Sequence, residues 1–184
     1  DTSLLIDPGF PVHRQQLKVL GQKIESFDVY NYRGDKLKDK LESILSNGNI
    51  SCMLYSNPNN PSWICFTEKE LQIIGNMCSK YDVIPIEDLA YFAMDFRRDM
   101  SEPGFPPYQP TVAKYTDNYI LTISSSKAFS YAGQRIGMMI ISDEVYDRSY
   151  PNLKNYYTKD LFGHSMIYGS IYSMSAGISH SAQY

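Results

Sequence analysis

Short apolar runs alternate with segments of helical period along most of this chain, and that alternation restricts what it can fold into. Ser26 to Tyr30, Ile50 to Tyr55, Val83 to Glu87, Tyr119 to Ile123 and Ile136 to Ser142 have the length and the β-branched or aromatic content of strands. The last two read as buried strands. Between the runs lie helical segments. Val12 to Leu20 closes on Gly21, and Asp35 to Asn47 carries Leu37, Leu41, Ile44 and Leu45 on one face ahead of Gly48. Thr67 to Tyr81 opens on a capping box of Thr67 and Glu70, with Leu71, Ile74, Cys78 and Tyr81 at helical spacing. Strands alternating with helices predict an α/β domain with a mostly parallel sheet. Pro85 argues against a central place for its strand. Met100 to Pro110, rich in proline and glycine, reads as a loop, and Asp143 to Asp160 as a helical region rich in tyrosine.

With 184 residues and 43% hydrophobic content, the chain suffices for one domain with a real core. A net charge of -3 gives no electrostatic case for nucleic acid or an anionic membrane as partner. No apolar segment approaches the roughly 20 residues that cross a bilayer, and the start shows no signal-peptide pattern. Cys52, Cys65 and Cys78 lie in or beside apolar segments without metal-ligand spacing, so they read as free thiols in a reducing, cytoplasmic compartment. His13, His164 and His180 show no metal-ligand spacing either. The first residue is Asp rather than Met, and the small-residue stretch around Ser173 to Ser181 runs on without a cap. A segment of a longer protein is therefore expected, with that stretch approaching a neighbouring subunit.

The chemistry concentrates where strands stop. Ser124-Ser125-Ser126-Lys127 follows the Tyr119–Ile123 run, and Arg135 stands eight residues beyond the lysine. A lysine at the end of a buried strand would be partly desolvated, which favours a neutral, nucleophilic amine. Arg135 offers a planar fork suited to phosphate. Ser124-x-x-Lys127 also fits the S-x-x-K of penicillin-binding proteins. That class needs an S-D-N element after the serine and a later K-T-G, whereas Thr116-Asp117-Asn118 precedes the serine here and no K-T-G exists. Two further strands deliver reactive residues. Ile50–Tyr55 runs into Asn57-Pro58-Asn59-Asn60-Pro61, and Val83–Glu87 into Asp88-Leu89-Ala90-Tyr91. In an open α/β sheet, ligands bind outside the C-terminal strand ends, so these groups would meet in one crevice. Taken singly, Asn-Pro is a common turn and Asp88 would serve as a helix cap.

As an ordered set, these segments resemble the pyridoxal-phosphate enzymes of the aspartate aminotransferase fold, the class I/II aminotransferases of fold type I. The resemblance rests on Asn57–Pro61, Asp88–Tyr91, Ser124–Lys127 and Arg135-Ile136-Gly137, and it spans essentially the whole chain as the cofactor-binding large domain. It implies a three-layer α/β/α fold with a mostly parallel mixed central sheet, and pyridoxal 5'-phosphate as cofactor. Asp7-Pro8-Gly9-Phe10-Pro11-Val12 resembles the family loop whose aromatic lies on the cofactor ring, which assigns that place to Phe10. A core aromatic is the alternative for Phe10. By the same resemblance, Lys127 would form the internal aldimine and then act as base. Asp88 would pair with the pyridine nitrogen, Asn60 and Tyr91 would donate to the ring oxygen, and Ser124 and Arg135 would hold the phosphate.

The implied reaction is transamination between an L-amino acid and a 2-oxo acid in a homodimer. A C–S lyase, a decarboxylase or a related enzyme of the fold is the alternative, and a non-catalytic regulatory domain of the same fold is another. One motif departs from the family. Its turn reads Asn-Pro-Thr-Gly, whereas Asn60-Pro61 is followed here by Ser62-Trp63, and tryptophan takes a positive φ only at a cost, so an altered turn is expected. Nothing in Asp1–Gly9 matches the family's main phosphate cradle, and the small domain with its carboxylate-binding arginine is expected to lie outside this segment. Weak cofactor affinity and little turnover are expected of this piece alone.

Overall fold

Apolar runs that cannot each bury two faces alone close into one sheet, with helices laid against it. A computed structural model describes residues 2–102 and 104–148. The elements are β1 (Thr2–Asp7), α1 (Pro11–Val19), β2 (Lys23–Asp28), α2 (Lys36–Leu45), β3 (Ile50–Ser56), α3 (Glu68–Lys80), β4 (Ile84–Leu89), β5 (Ile120–Ser124), α4 (Ser125–Ala128), β6 (Gly137–Ile141) and α5 (Asp143–Tyr146). The strand order is β2-β1-β3-β4-β5-β6; the first five run parallel and β6 is antiparallel to β5. The protein is thus an α/β molecule with a mixed, mostly parallel sheet.

Alternation along the strands decides which face holds the core. Leu4, Ile6, Met53, Tyr55 and Leu89 are buried in one cluster with Leu37, Leu41, Ile44 and Leu45 of α2 and Leu71, Ile74, Met77 and Cys78 of α3. Residues of opposite parity in β3 and β4 (Cys52, Leu54, Ile84, Ile86 and Asp88) are half-buried. Burying a Leu or Ile side chain contributes about 1.5–3 kcal/mol, so the α2 and α3 faces account for much of what holds the sheet. The α3 N-terminus carries the expected capping box, Thr67 accepting from the Glu70 amide while the Glu70 side chain accepts from the Thr67 amide.

Four expectations change. β1 was not read as a strand, yet it pairs with both β2 and β3 and its apolar centre is buried. The second strand ends at Asp28, because Asp28 accepts from the Tyr30 amide and turns Val29–Tyr32 into a short 3-10 segment. Pro85 lies in a central strand after all. Pairing of β4 with β5 begins only at Ile86, so the proline precedes that ladder. The run expected as a buried strand from Ile136 to Ser142 forms β6 (Gly137–Ile141), the last strand of the sheet, and is exposed along its length. Of the expected Asp143–Asp160 helix, α5 is described; residues 149–160, like His164, His180 and Ser173–Ser181, lie outside the described residues. Among the described residues, Cys52, Cys65 and Cys78 are free thiols, and no helix is long and apolar enough to cross a membrane.

Candidate active site

The chain leaves β1 toward β2 on one side and returns as β3 on the other, so the sheet has its switch point between β1 and β3. Crevices at such points, outside the C-terminal strand ends, are where open α/β sheets bind ligands. The loop after β1 carries Phe10, the loop after β3 carries Asn60, the end of β4 carries Asp88 and Tyr91, and α4 after β5 carries Lys127. Phe10, Ser56, Asn60, Asp88, Ala90, Tyr91 and Lys127 line one pocket of about 160 Å³.

Each group is held by local structure. The Asp88 carboxylate accepts from the Ala90 amide at 2.9 Å through Oδ1, and its Oδ2 lies 3.0 Å from His13 Nε2. Asn57 N–H donates to the Asp88 carbonyl at 2.9 Å, which ties the two loops together just past the strands. Asn60 Nδ2 donates toward the Tyr91 hydroxyl at 3.4 Å, and the Lys127 ammonium stands 5.8 Å from the centre of the Tyr91 ring. The α4 turn is fixed to the start of β6: the Ser125 amide and hydroxyl both donate to the Ile136 carbonyl, at 3.1 and 3.0 Å. Lys127 is exposed rather than buried, because a four-residue helical turn at the rim of the sheet carries it out of the strand.

Behind the pocket, the neighbour of Asp88 faces the other way. Glu87 is fully buried and accepts from Asn57 Nδ2 at 2.9 Å and from the Val112 amide at 2.8 Å. Burial pushes its carboxyl up to about 7 against the pull of those two donors. Asn57 in turn accepts from the Phe66 amide at 3.1 Å, so one buried carboxyl and one amide lock the β3 loop, the end of β4 and Val112 together.

The structure brings together Phe10, Asn60, Asp88, Tyr91 and Lys127. It does not place Ser124 or Arg135 in the lining. Ser124 Oγ accepts from the Ser126 amide at 3.1 Å as the cap of α4, and Arg135 is exposed, donating to the Ala132 carbonyl at 3.0 Å. His13 and Ser56 belong to the site region and were not singled out from the sequence. His13 follows Phe10 by three residues at the start of α1, and the rings meet edge to face at 5.5 Å, a spacing that could have flagged it. In the turn after Pro61 the tryptophan accepts the positive φ that argued against it. Trp63 adopts φ 57, a left-handed conformation that costs a bulky residue about 1–2 kcal/mol. Its indole packs edge-on to Tyr91 at 5.3 Å and stacks on Phe96 at 6.0 Å.

In sequence and fold the chain is similar to aminotransferases and to lyases. Glutamate-pyruvate aminotransferase AlaC of Escherichia coli is 26% identical over 143 residues, which is 76% of this chain and 33% of the relative. Cystathionine beta-lyase of Corynebacterium glutamicum is also 26% identical, over 149 residues, covering 80% of this chain and 38% of the lyase. Cystalysin from Treponema denticola, solved with a pyridoxal 5'-phosphate cofactor, superposes with a TM-score of 0.63 at 23% identity over 80% of this chain and 37% of its own. The chain spans about a third of the length of the relatives it matches. The family model for aminotransferase class I and II matches residues 1–166, and the chain belongs to that family.

Proposed function

We propose that this chain is the cofactor-binding part of a pyridoxal-phosphate-dependent transferase that moves an amino group between an L-amino acid and a 2-oxo acid. The observation that carries the reading is the shared pocket of Lys127, Asp88, Tyr91, Asn60 and Phe10. One primary amine, one oriented carboxylate, two hydrogen-bond donors and one aromatic face are the donor set a pyridine aldehyde with a ring hydroxyl would meet. Bound there, pyridoxal phosphate supplies an electrophilic carbonyl and a ring that accepts electrons from the substrate.

The residues divide the remaining work. Lys127 would offer the amine that holds the cofactor, and the same amine, when free, would be the base for the substrate α-proton. Asp88, oriented by the Ala90 amide and His13, holds a proton on the ring nitrogen. Tyr91 and Asn60 would donate to the ring oxygen, and Phe10 would offer its face to the ring. Ser124 and Arg135 are assigned to the phosphate by the family resemblance, although neither lines the pocket. The whole protein is proposed to work as a homodimer on small amino and oxo acids in the cytoplasm.

The test is chemical trapping. Borohydride reduction of the cofactor-loaded full-length protein should fix a pyridoxyl group on Lys127, read by peptide mapping. A label on another lysine, or none, would refute the reading. A second reaction has its own support, since a lyase and an aminotransferase match this chain at the same identity. Conversion of the cofactor to its amine form by an amino acid, reversed by an oxo acid, identifies the transferase; release of ammonia and pyruvate without that cycle identifies the lyase.

A further inference from the structure

The loop that carries Asn60 is held independently of the side chain at position 63. Asn59 N–H donates to the Ile64 carbonyl at 2.8 Å, and Trp63 N–H donates to the Asn59 carbonyl at 2.9 Å. Asn59 Oδ1 accepts from the Ser62 amide at 3.1 Å and from its hydroxyl at 2.6 Å, while Asn59 Nδ2 donates to Ser56 Oγ at 3.2 Å. None of these bonds uses the indole. Glycine would occupy φ 57 without strain, so the backbone alone gives no reason for tryptophan there.

What the indole does touch is Tyr91. The tyrosine lies past the end of β4, in a turn where Phe92 N–H reaches the Leu89 carbonyl and Met94 N–H reaches the Tyr91 carbonyl. Its hydroxyl meets Asn60 only at 3.4 Å, too long to fix a ring by itself. Trp63 bears on that ring edge-to-face at 5.3 Å and is backed by the stack with Phe96, whose planes lie 19° apart. Trp63 stands behind the pocket, in contact with its Tyr91 wall, and strain kept there where an unstrained residue would serve the fold points to use in the site.

We propose that Trp63 is a positioning residue whose indole fixes the Tyr91 ring so that its hydroxyl faces Asn60 across the pocket. The inference rests on the pyridoxal-phosphate reading for what that hydroxyl then does, which is to donate to the ring oxygen. The full-length protein and its Trp63→Gly, Trp63→Phe and Tyr91→Phe variants provide the test. In crystals of the cofactor-free proteins, Trp63→Phe should keep the Tyr91 hydroxyl within about 3.5 Å of the Asn60 amide, and Trp63→Gly should release it.

In the cofactor-loaded proteins, the pH midpoint of the visible absorbance should rise for Tyr91→Phe. Trp63→Gly should raise it by about half a unit to one unit, the size expected when one hydrogen bond to a charged oxygen is weakened. Trp63→Phe should leave it in place, and the double variant Trp63→Gly with Tyr91→Phe should move no further than Tyr91→Phe alone. A Tyr91 ring unmoved in the Trp63→Gly crystal overturns the inference, as does a Trp63→Gly shift that adds in full to that of Tyr91→Phe. Lack of any Lys127-dependent absorbance in the unaltered protein overturns the cofactor reading instead, and the cofactor-free crystals still decide the role of Trp63.

Discussion

Two buried glutamates sit in opposite electrostatic surroundings. Burial would raise the Glu70 carboxyl, but the Arg33 guanidinium, at 2.6 and 2.7 Å, and the Gly34 and Thr67 amides outweigh it and hold the group down at about 2. Among the described residues Glu87 has no cation beside it, only the Val112 and Asn57 donors, and it stands at about 7. Its folded value lies above the ordinary 4.5, so its contribution is complete below pH 4.5 and is lost as pH rises through about 7. The full swing is of the order of 3 kcal/mol. Urea unfolding at pH 5 and pH 8 should show the unaltered chain losing stability across that interval, and Glu87→Gln should flatten the loss. An unchanged slope in the variant would assign it to other groups. Neither behaviour was legible in the sequence. Glu87 and Asp88 are neighbours of the same type, and only strand parity, supplied by the neighbouring strands, separates their fates. Asn60, Asp88, Tyr91 and Lys127 were legible because each stands at or just past the end of a strand. His13 was not, because its partner is 75 residues away in sequence.

Elements whose signals are local were readable, and those defined by their neighbours were not. The capping box of α3 is written within four residues, and Thr67→Ala should cost about 1 kcal/mol of stability, seen as a lower urea midpoint. The same helix holds a constraint hidden from the sequence. A Cβ on Gly75 would lie 2.8 Å from both the Cβ and the carbonyl oxygen of Tyr115. Tyr115 cannot easily give way, since its hydroxyl donates to Glu68 in the first turn of α3 at 3.0 Å. Gly75→Ala would gain about 1 kcal/mol in helix propensity but lose about 1–3 kcal/mol to overpacking, so a lower melting temperature is expected. A rise would show that Tyr115 moves freely. β1 escaped notice for the same reason that Gly75 did: six residues between a chain start and a proline turn carry little pattern until two strands flank them. β6 misled in the other direction, since its apolar composition signals a strand but not whether anything covers it.

At the scale of the whole molecule, the glutamates combine. Glu70 gives stability that is present above pH 4.5 and lost as pH falls toward about 2, and Glu87 gives stability that is lost as pH climbs toward about 7. Thermal melting across pH 3 to 8 should therefore peak in mild acid, near pH 5; a plateau from pH 6 to 8 with its maximum there would contradict the Glu87 assignment. The parallel arrangement has a second consequence. All the pocket's polar groups hang from strand ends on one side of the sheet, and β4 pairs with β3 through Asp88 opposite Ser56 and Glu87 opposite Tyr55. A slip of one residue in that ladder would exchange the two acids, sending Glu87 to the cavity and Asp88 in among the apolar side chains of α2 and α3. Inserting a single residue into β4 ahead of Glu87 is thus a frame error in chemistry as well as in packing: the molecule would still present a carboxylate to its ligand, but one methylene longer and cut off from the histidine that steadies it.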